Sequence, residues 1–198
     1  MSASVDCWFD YSSPFAYLGT TQIERVAAEA GAQVRYRPFF LGALFKAIGT
    51  PIVPMQSFAD AKRKSLGLDL VRWAAFWDVP FQFTSTFPLM TVMPLRVTLL
   101  ADCEPRLVHR IMRAAWADNE DVSQPDVVTR CLEDVGLDPA LVARSREAKP
   151  ALIAATEEAV QIGCPGAPCF VVGDCLYWGQ DRLDFVRAAL QGNPPAGK

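Results

Sequence analysis

Strand-forming sequence sits only at the two ends of this 198-residue chain. The runs VDCWF (5–9) and QVRYRPFF (33–40) open it, and PCFVVGDCLYWG (168–179) closes it. Between Ser57 and about Ala148 strand signals nearly vanish and the pattern reads as successive helices. Short strands need several partners and a covered face to be stable. Both ends therefore have to share one sheet, and the helical middle has to leave that sheet and return to it.

The segments order themselves as follows. From Phe15 to Ala30 the residues Phe15, Leu18, Ile23, Val26, Ala27 and Ala30 recur at helical spacing, and Gly31 is a good stop. Val34 and Tyr36 alternate with charged neighbours, so a second strand should end near Pro38. The glycines and prolines of LGALFKAIGTPIVP (41–54) mark a loop with room for one short helical turn. SFADAKRKSLGLDLVRWAAFW predicts one or two helices around Gly67, and TVMPLRVTLLAD and PRLVHRIMRAAWA predict two more. In SQPDVVTRCLEDVG, Ser123 stands three residues before Asp126 as a capping-box variant, with Pro125 in the first turn. DPALVARSREA reads as another short helix. Gly173-Asp174 predicts a hairpin turn, and a last helix should run from Gln180 to Gln191 before Gly192. The whole order is β-α-β, then helices, then α-β-β-α.

About half of the residues are apolar, enough for a real core in one domain, with or without a large insertion. The apolar stretches are interrupted well short of the roughly 20 residues of a membrane span. MSASVDCWFD lacks the basic head and long apolar region of a secretory signal, and NPPAGK is no organelle address, so a soluble cytoplasmic protein is expected. A net charge of −3 with scattered Lys and Arg gives no nucleic-acid footprint. None of the six cysteines stands in CxxC spacing, and His109, the only histidine, is far in sequence from the C-terminal cysteines. A zinc site is not expected, and buried reduced thiols are. His109 lies between charged residues and reads as a surface residue.

DYSSPFAYLG (10–19) places two serines and a proline where the first strand gives way to a helix. A helix N-terminus offers unpaired N–H groups and the positive end of the backbone dipole, so it can hold an anion. A serine there can also be a simple cap. From the residues alone both readings stand. A hydrolase nucleophile is excluded, because there is no GxSxG elbow and His109 would be the only base.

The order of elements is that of a thioredoxin fold with a helical insertion. It divides the chain into a discontinuous thioredoxin-like domain, 1–55 and 150–198, and an all-helical insertion, 56–149. The Ser13-Pro14 junction then falls where such folds carry a redox cysteine. Pro168 falls where they carry a cis-proline, whose preceding residue presents its backbone to a peptide-like ligand.

With FDYSSPFAYL (9–18), RPFFLG (37–42), KAIG (46–49), DLVRWA (69–74), GAP (166–168) and YWGQDRLDF (177–185), the chain resembles two related families. These are the glutathione-dependent 2-hydroxychromene-2-carboxylate isomerases and the kappa-class glutathione transferases, both DsbA-like members of the thioredoxin superfamily. The matches run in order over nearly the whole chain. The resemblance implies an α/β, DsbA-like fold and a glutathione site. Ser13 would contact the glutathione sulfur, Lys62 (by its distance from Asp69-Leu70) another part of the tripeptide, and the Ala167 backbone before Pro168 its cysteinyl part. Gln180 and Asp181 would hold the γ-glutamyl end. Dithiol redox chemistry is excluded, because Ser13 and Ala16 stand where oxidoreductases have cysteines. Two positions depart from the family pattern: Thr50 replaces a usual asparagine and Cys169 a usual threonine. Cys169 is either inert strand filling or a partner for a mixed disulfide.

A free thiol with a pKa near 8.5 is only about 3% thiolate at neutral pH. Lowering it by roughly two units takes ~2.7 kcal/mol. One hydrogen bond from Ser13 and the helix dipole together can supply that. The resemblance implies that the thiolate adds transiently to a ring-opened, carboxylate-bearing aromatic substrate, so that a double bond can rotate, in aromatic-ring degradation. Phe76, Trp77, Phe81, Phe83, Phe87, Trp116 and Trp178 are candidates for its apolar pocket or simply core. Arg37 and Arg182 are candidate anchors or ordinary ion-paired arginines. A homodimer is implied as well. The competing readings are a kappa-like transferase or peroxidase and a non-catalytic thioredoxin-fold binding protein.

Overall fold

The computed structural model describes residues 3–196. Strands β1 (Ser4–Phe9), β2 (Gln33–Pro38), β3 (Cys169–Val172) and β4 (Cys175–Trp178) form one sheet in the order β2-β1-β3-β4. β1 pairs parallel with β2, Val5 opposite Val34, and antiparallel with β3, Trp8 opposite Cys169. β3 and β4 form the hairpin expected at Gly173-Asp174, with Gly173 at φ 57°.

Helix α1 (Pro14–Glu29) joins β1 to β2. Between β2 and β3 lie α2 (Leu41–Ala47), α3 (Asp60–Phe76), α4 (Val92–Leu100), α5 (Pro105–Trp116), α6 (Pro125–Asp134), α7 (Leu141–Arg144) and α8 (Lys149–Gln161), and α9 (Leu183–Leu190) follows the hairpin. Neighbouring residues of a strand point to opposite faces of the sheet. Tyr36 of β2 donates to Glu24 of α1 (3.0 Å), whereas Arg37 pairs with Glu158 of α8. α1 and α8 therefore cover opposite faces, and α9 packs beside α1. The helices between β2 and β3 carry their own apolar residues into the same core: Ile111, Met112 and Trp116 of α5 and Val128 and Leu132 of α6 are fully buried. Two hydrogen bonds tie this block to the start of α1. Trp116 Nε1 donates to the Tyr11 carbonyl (2.8 Å), and the Tyr17 hydroxyl donates to the Pro80 carbonyl (2.6 Å).

One local expectation changes and two become definite. Residues 41–47 form a seven-residue helix, the helical turn expected within that loop, because the glycines and prolines of the stretch, apart from Gly42, all fall after its end. Of the one or two helices expected around Gly67 there is one, α3, unbroken through the glycine. Ser123 does not cap α6: Pro125 occupies the first helical position, so the cap falls on Gln124, one residue too late for the serine. The Asp121 carboxylate serves that turn instead, accepting from the Ser123 N–H (3.0 Å) and Gln124 Nε2 (2.9 Å), and these bonds hold its carboxyl below the usual range. α3 buries only Leu70 and Ala74 and leaves Leu68, Val71 and Phe76 to solvent. No helix among the described residues is long and apolar enough to cross a membrane.

Two helical glycines make opposite predictions. A Cβ at Gly19 would lie 3.1 Å from Pro168 Cγ and 3.2 Å from Phe170 Cζ, whereas one at Gly67 meets nothing within 4 Å. Gly67→Ala should stabilise the protein by about 0.5–1 kcal/mol through helix propensity. Gly19→Val should destabilise it by about 1–3 kcal/mol through overpacking. Urea unfolding of the two variants against the parent checks both signs.

Candidate active site

The site begins at Asp10, the first residue beyond β1 and fully buried. Its Oδ1 accepts from the Ser12 N–H (2.9 Å) and the Thr91 hydroxyl (2.6 Å), and its Oδ2 accepts from the Leu41 N–H (2.7 Å). Burial raises the Asp10 pKa, and the Thr91, Ser12 and Leu41 donors act against that rise. All three partners can donate, so the arrangement offers a carboxylate a full set of hydrogen bonds.

Ser13 follows as the N-cap of α1. Its buried Oγ accepts from the Ala16 N–H (3.1 Å) and donates to the Ala167 carbonyl (2.8 Å). The cap reading of this serine is met by the Ala16 bond. Pro14 fills the first helical position and no acidic residue lies in the first turn, so the positive end of a 16-residue helix is left unneutralised by its own side chains.

Ala167 precedes Pro168 through a cis peptide bond. The Gly179 N–H donates to the Pro168 carbonyl (2.9 Å), which brings the segment after β4 against the proline loop. Gly166 allows the Trp178 indole to lie over that loop, since a Cβ there would sit 3.0 Å from Nε1. Trp178 itself is 55% exposed. The space a Cβ at Gly19 would take is bounded by Pro168, Phe170 and Gln180. Ser13, Ala167, Pro168 and the buried Gln180 are therefore gathered at one end of α1. Asp181 is next to Gln180, close to Gly179 and paired with Arg182 (2.8 Å).

Lys62, the remaining candidate, belongs to a different element. It is exposed near the start of α3, its Nζ 3.8 Å from the centre of the Phe58 ring. Both candidate anchors are ion-paired, Arg37 with Glu158 and Arg182 with Asp181. Of the aromatic candidates, Trp116 is fully buried, Phe81 and Phe83 pack on it, and Phe76 is 77% exposed. Thr50 donates its N–H to the Phe45 carbonyl (2.9 Å). Cys169 Sγ donates to the Gly166 carbonyl (3.1 Å), and the neighbouring Cys164 thiol together with burial pushes its pKa up, so at neutral pH it is a protonated thiol. His109 is more than a surface residue: its Nε2 meets Glu24 (3.0 Å) and the Tyr36 hydroxyl (3.2 Å).

Asp10 and Thr91 were not singled out by sequence reasoning. The available signal was an aspartate at the end of an apolar strand and two residues before a turn N–H. Thr91 had none, because its partner lies 81 residues away. Asp10→Asn tests the carboxylate. The asparagine amide would turn a donor toward a donor, so stability should fall by about 1–3 kcal/mol. If burial of the charge outweighed its three bonds, the neutral variant would instead unfold at higher urea.

Residues 4–191 match the DSBA-like thioredoxin domain family. A 2-hydroxychromene-2-carboxylate isomerase of Sphingobium xenophagum is 30% identical to the chain, covering 96% of it and 99% of the relative. A kappa glutathione transferase of Caenorhabditis elegans, kappa 2, is 24% identical over 95% of this chain and 93% of its own. A solved 2-hydroxychromene-2-carboxylate isomerase superposes with a TM-score of 0.82 at 25% identity, covering 94% of each chain. The four-stranded sheet, the helical block and the cis-proline opposite the start of α1 are thus the features of a known architecture, and the chain belongs to the DSBA-like thioredoxin family, in the group that holds the 2-hydroxychromene-2-carboxylate isomerases and the kappa glutathione transferases.

Proposed function

We propose that the chain is a glutathione-dependent isomerase that converts 2-hydroxychromene-2-carboxylate to trans-o-hydroxybenzylidenepyruvate in aromatic-ring degradation. The observation that carries this reading is a hydroxyl, where a redox enzyme of this fold has a thiol, at the N-terminus of α1 and 2.8 Å from the carbonyl before Pro168. The isomerase relatives support the reaction class. The donor set fits the tripeptide: a hydroxyl and a helix N-terminus suit a sulfur anion, and the carboxylate of Asp181 suits an ammonium group. Bound glutathione would supply a sulfur nucleophile whose transient addition makes a conjugated double bond free to rotate.

The work of this chain is to hold that sulfur as an anion. Ser13 has to redirect its proton from the Ala167 carbonyl to the sulfur while Oγ keeps the Ala16 N–H. The carbonyl so released is an acceptor for a ligand N–H. A hydrogen bond to a charged group contributes about 1.5–3 kcal/mol and the helix terminus about 0.3–1 kcal/mol, together matching the ~2.7 kcal/mol needed for a two-unit shift. A homodimer belongs to the same reading, and the apolar residues that α3 leaves exposed support it. A kappa-type transferase is the second reading, favoured by the Caenorhabditis elegans relatives, and it uses the same serine.

Titrating the protein with glutathione across pH and following the thiolate absorbance tests the site. A thiolate band should appear well below pH 8. In Ser13→Ala the band should move up by about one to two pH units and the isomerase rate should fall by about 10- to 100-fold, with glutathione affinity changed little. Full activity and an unchanged band in Ser13→Ala would overturn the role of the hydroxyl. Turnover of the chromene carboxylate against conjugation of an aryl halide separates the two enzyme readings.

A further inference from the structure

A cavity of about 340 Å³ lies between α2, α4 and α8, on the face of the sheet away from α1. That volume falls in the range of small-molecule sites, roughly 300–1,000 Å³. Its walls are mostly carbon, from Phe40, Val92, Leu152 and Val160 among others. The Thr156 hydroxyl in the wall is already engaged: it donates to the Leu152 carbonyl (2.7 Å) and accepts from the Phe40 N–H (3.0 Å). Two cations line the same space, Arg96 and Lys149, with one acid, Glu157.

Arg96 is the anomaly. Its Nε is shielded from solvent and has no hydrogen-bond partner. Among the described residues every other arginine except the exposed Arg146 is ion-paired. A guanidinium N–H shielded without an acceptor against apolar walls is unfavourable, and the group that matches the planar fork of an arginine is a carboxylate.

We propose that this cavity is a second binding site, for a small molecule with an apolar body and a single carboxylate. The carboxylate takes the Arg96 guanidinium, with Lys149 at the mouth, and the body fills the space between Phe40, Val92 and Leu152. None of Ser13, Ala167, Pro168, Gln180 or Asp181 lines it. The site therefore stands independently of the glutathione reading.

Calorimetric titration of the full chain, without glutathione, with 2-naphthoate and its neutral analogue 2-naphthamide tests the assignment. Naphthoate should bind at least tenfold more tightly than the amide. Arg96→Gln should remove that preference, Arg96→Lys should keep part of it, and Ser13→Ala should leave it intact. Melting curves check that the variants fold, and Lys149→Gln, at an exposed position, should still weaken naphthoate by a few-fold if Arg96→Gln does not fold. Equal binding of acid and amide, no binding of naphthoate, or loss of binding in Ser13→Ala would overturn the proposal. So would a dimer, seen by sedimentation, that Ile153→Glu at the cavity rim disperses, because the groove would then be an interface between copies.

Discussion

The carboxylate of Asp10 is the point on which the site geometry depends. It accepts one hydrogen bond from each of three separate segments: the turn into α1, the first residue of α2 and the threonine that precedes α4. Two of these segments follow strands of the sheet, and the third belongs to the helices between β2 and β3. A single buried charge thus fixes how the helical block approaches the end of the sheet. Its burial alone would be unfavourable, and only the full set of donors makes the carboxylate tolerable there.

Ser13 builds on that fixed point. The turn held by Asp10 sets the entry to α1, the Ser13 N–H returns to the Asp10 carbonyl (3.1 Å), and the hydroxyl reaches across to the proline loop. The loop is in turn held from the other side by the Gly179 N–H. The helix terminus, the loop and the segment after β4 are therefore joined in series by hydrogen bonds. Desolvation pushes the Cys7 thiol up and raises Cys131 to about 11, so both stay neutral thiols.

Much of this architecture was legible in the sequence, for physical reasons that differ from segment to segment. β1, α1 and the β3–β4 hairpin announce themselves because apolar periodicity and turn residues are local signals. The extent of α2 was obscured by the density of glycine and proline just after it. The continuity of α3 was obscured by Gly67, whose cost the neighbouring turns absorb. Ser123 has the right residue type for a cap but the wrong register once Pro125 takes the first helical position. At the site, Ser13 and Pro168 were readable because each stands at a junction between elements. Asp10 and Thr91 were invisible as a pair, since no local pattern links residues 81 apart.

The two bonds of the Ser13 hydroxyl also bear on how such a chain evolves. Because the group caps a long helix and tethers a buried loop whether or not a ligand is present, selection for folding alone is enough to preserve it. Asp181, half-open to water and paired only with its neighbour Arg182, has no comparable structural duty. Under the proposed glutathione reading, a lineage that abandoned the tripeptide would drift first at position 181, with the serine intact. On that reading the fate of the acid, more than the presence of the hydroxyl, dates the loss of the ligand.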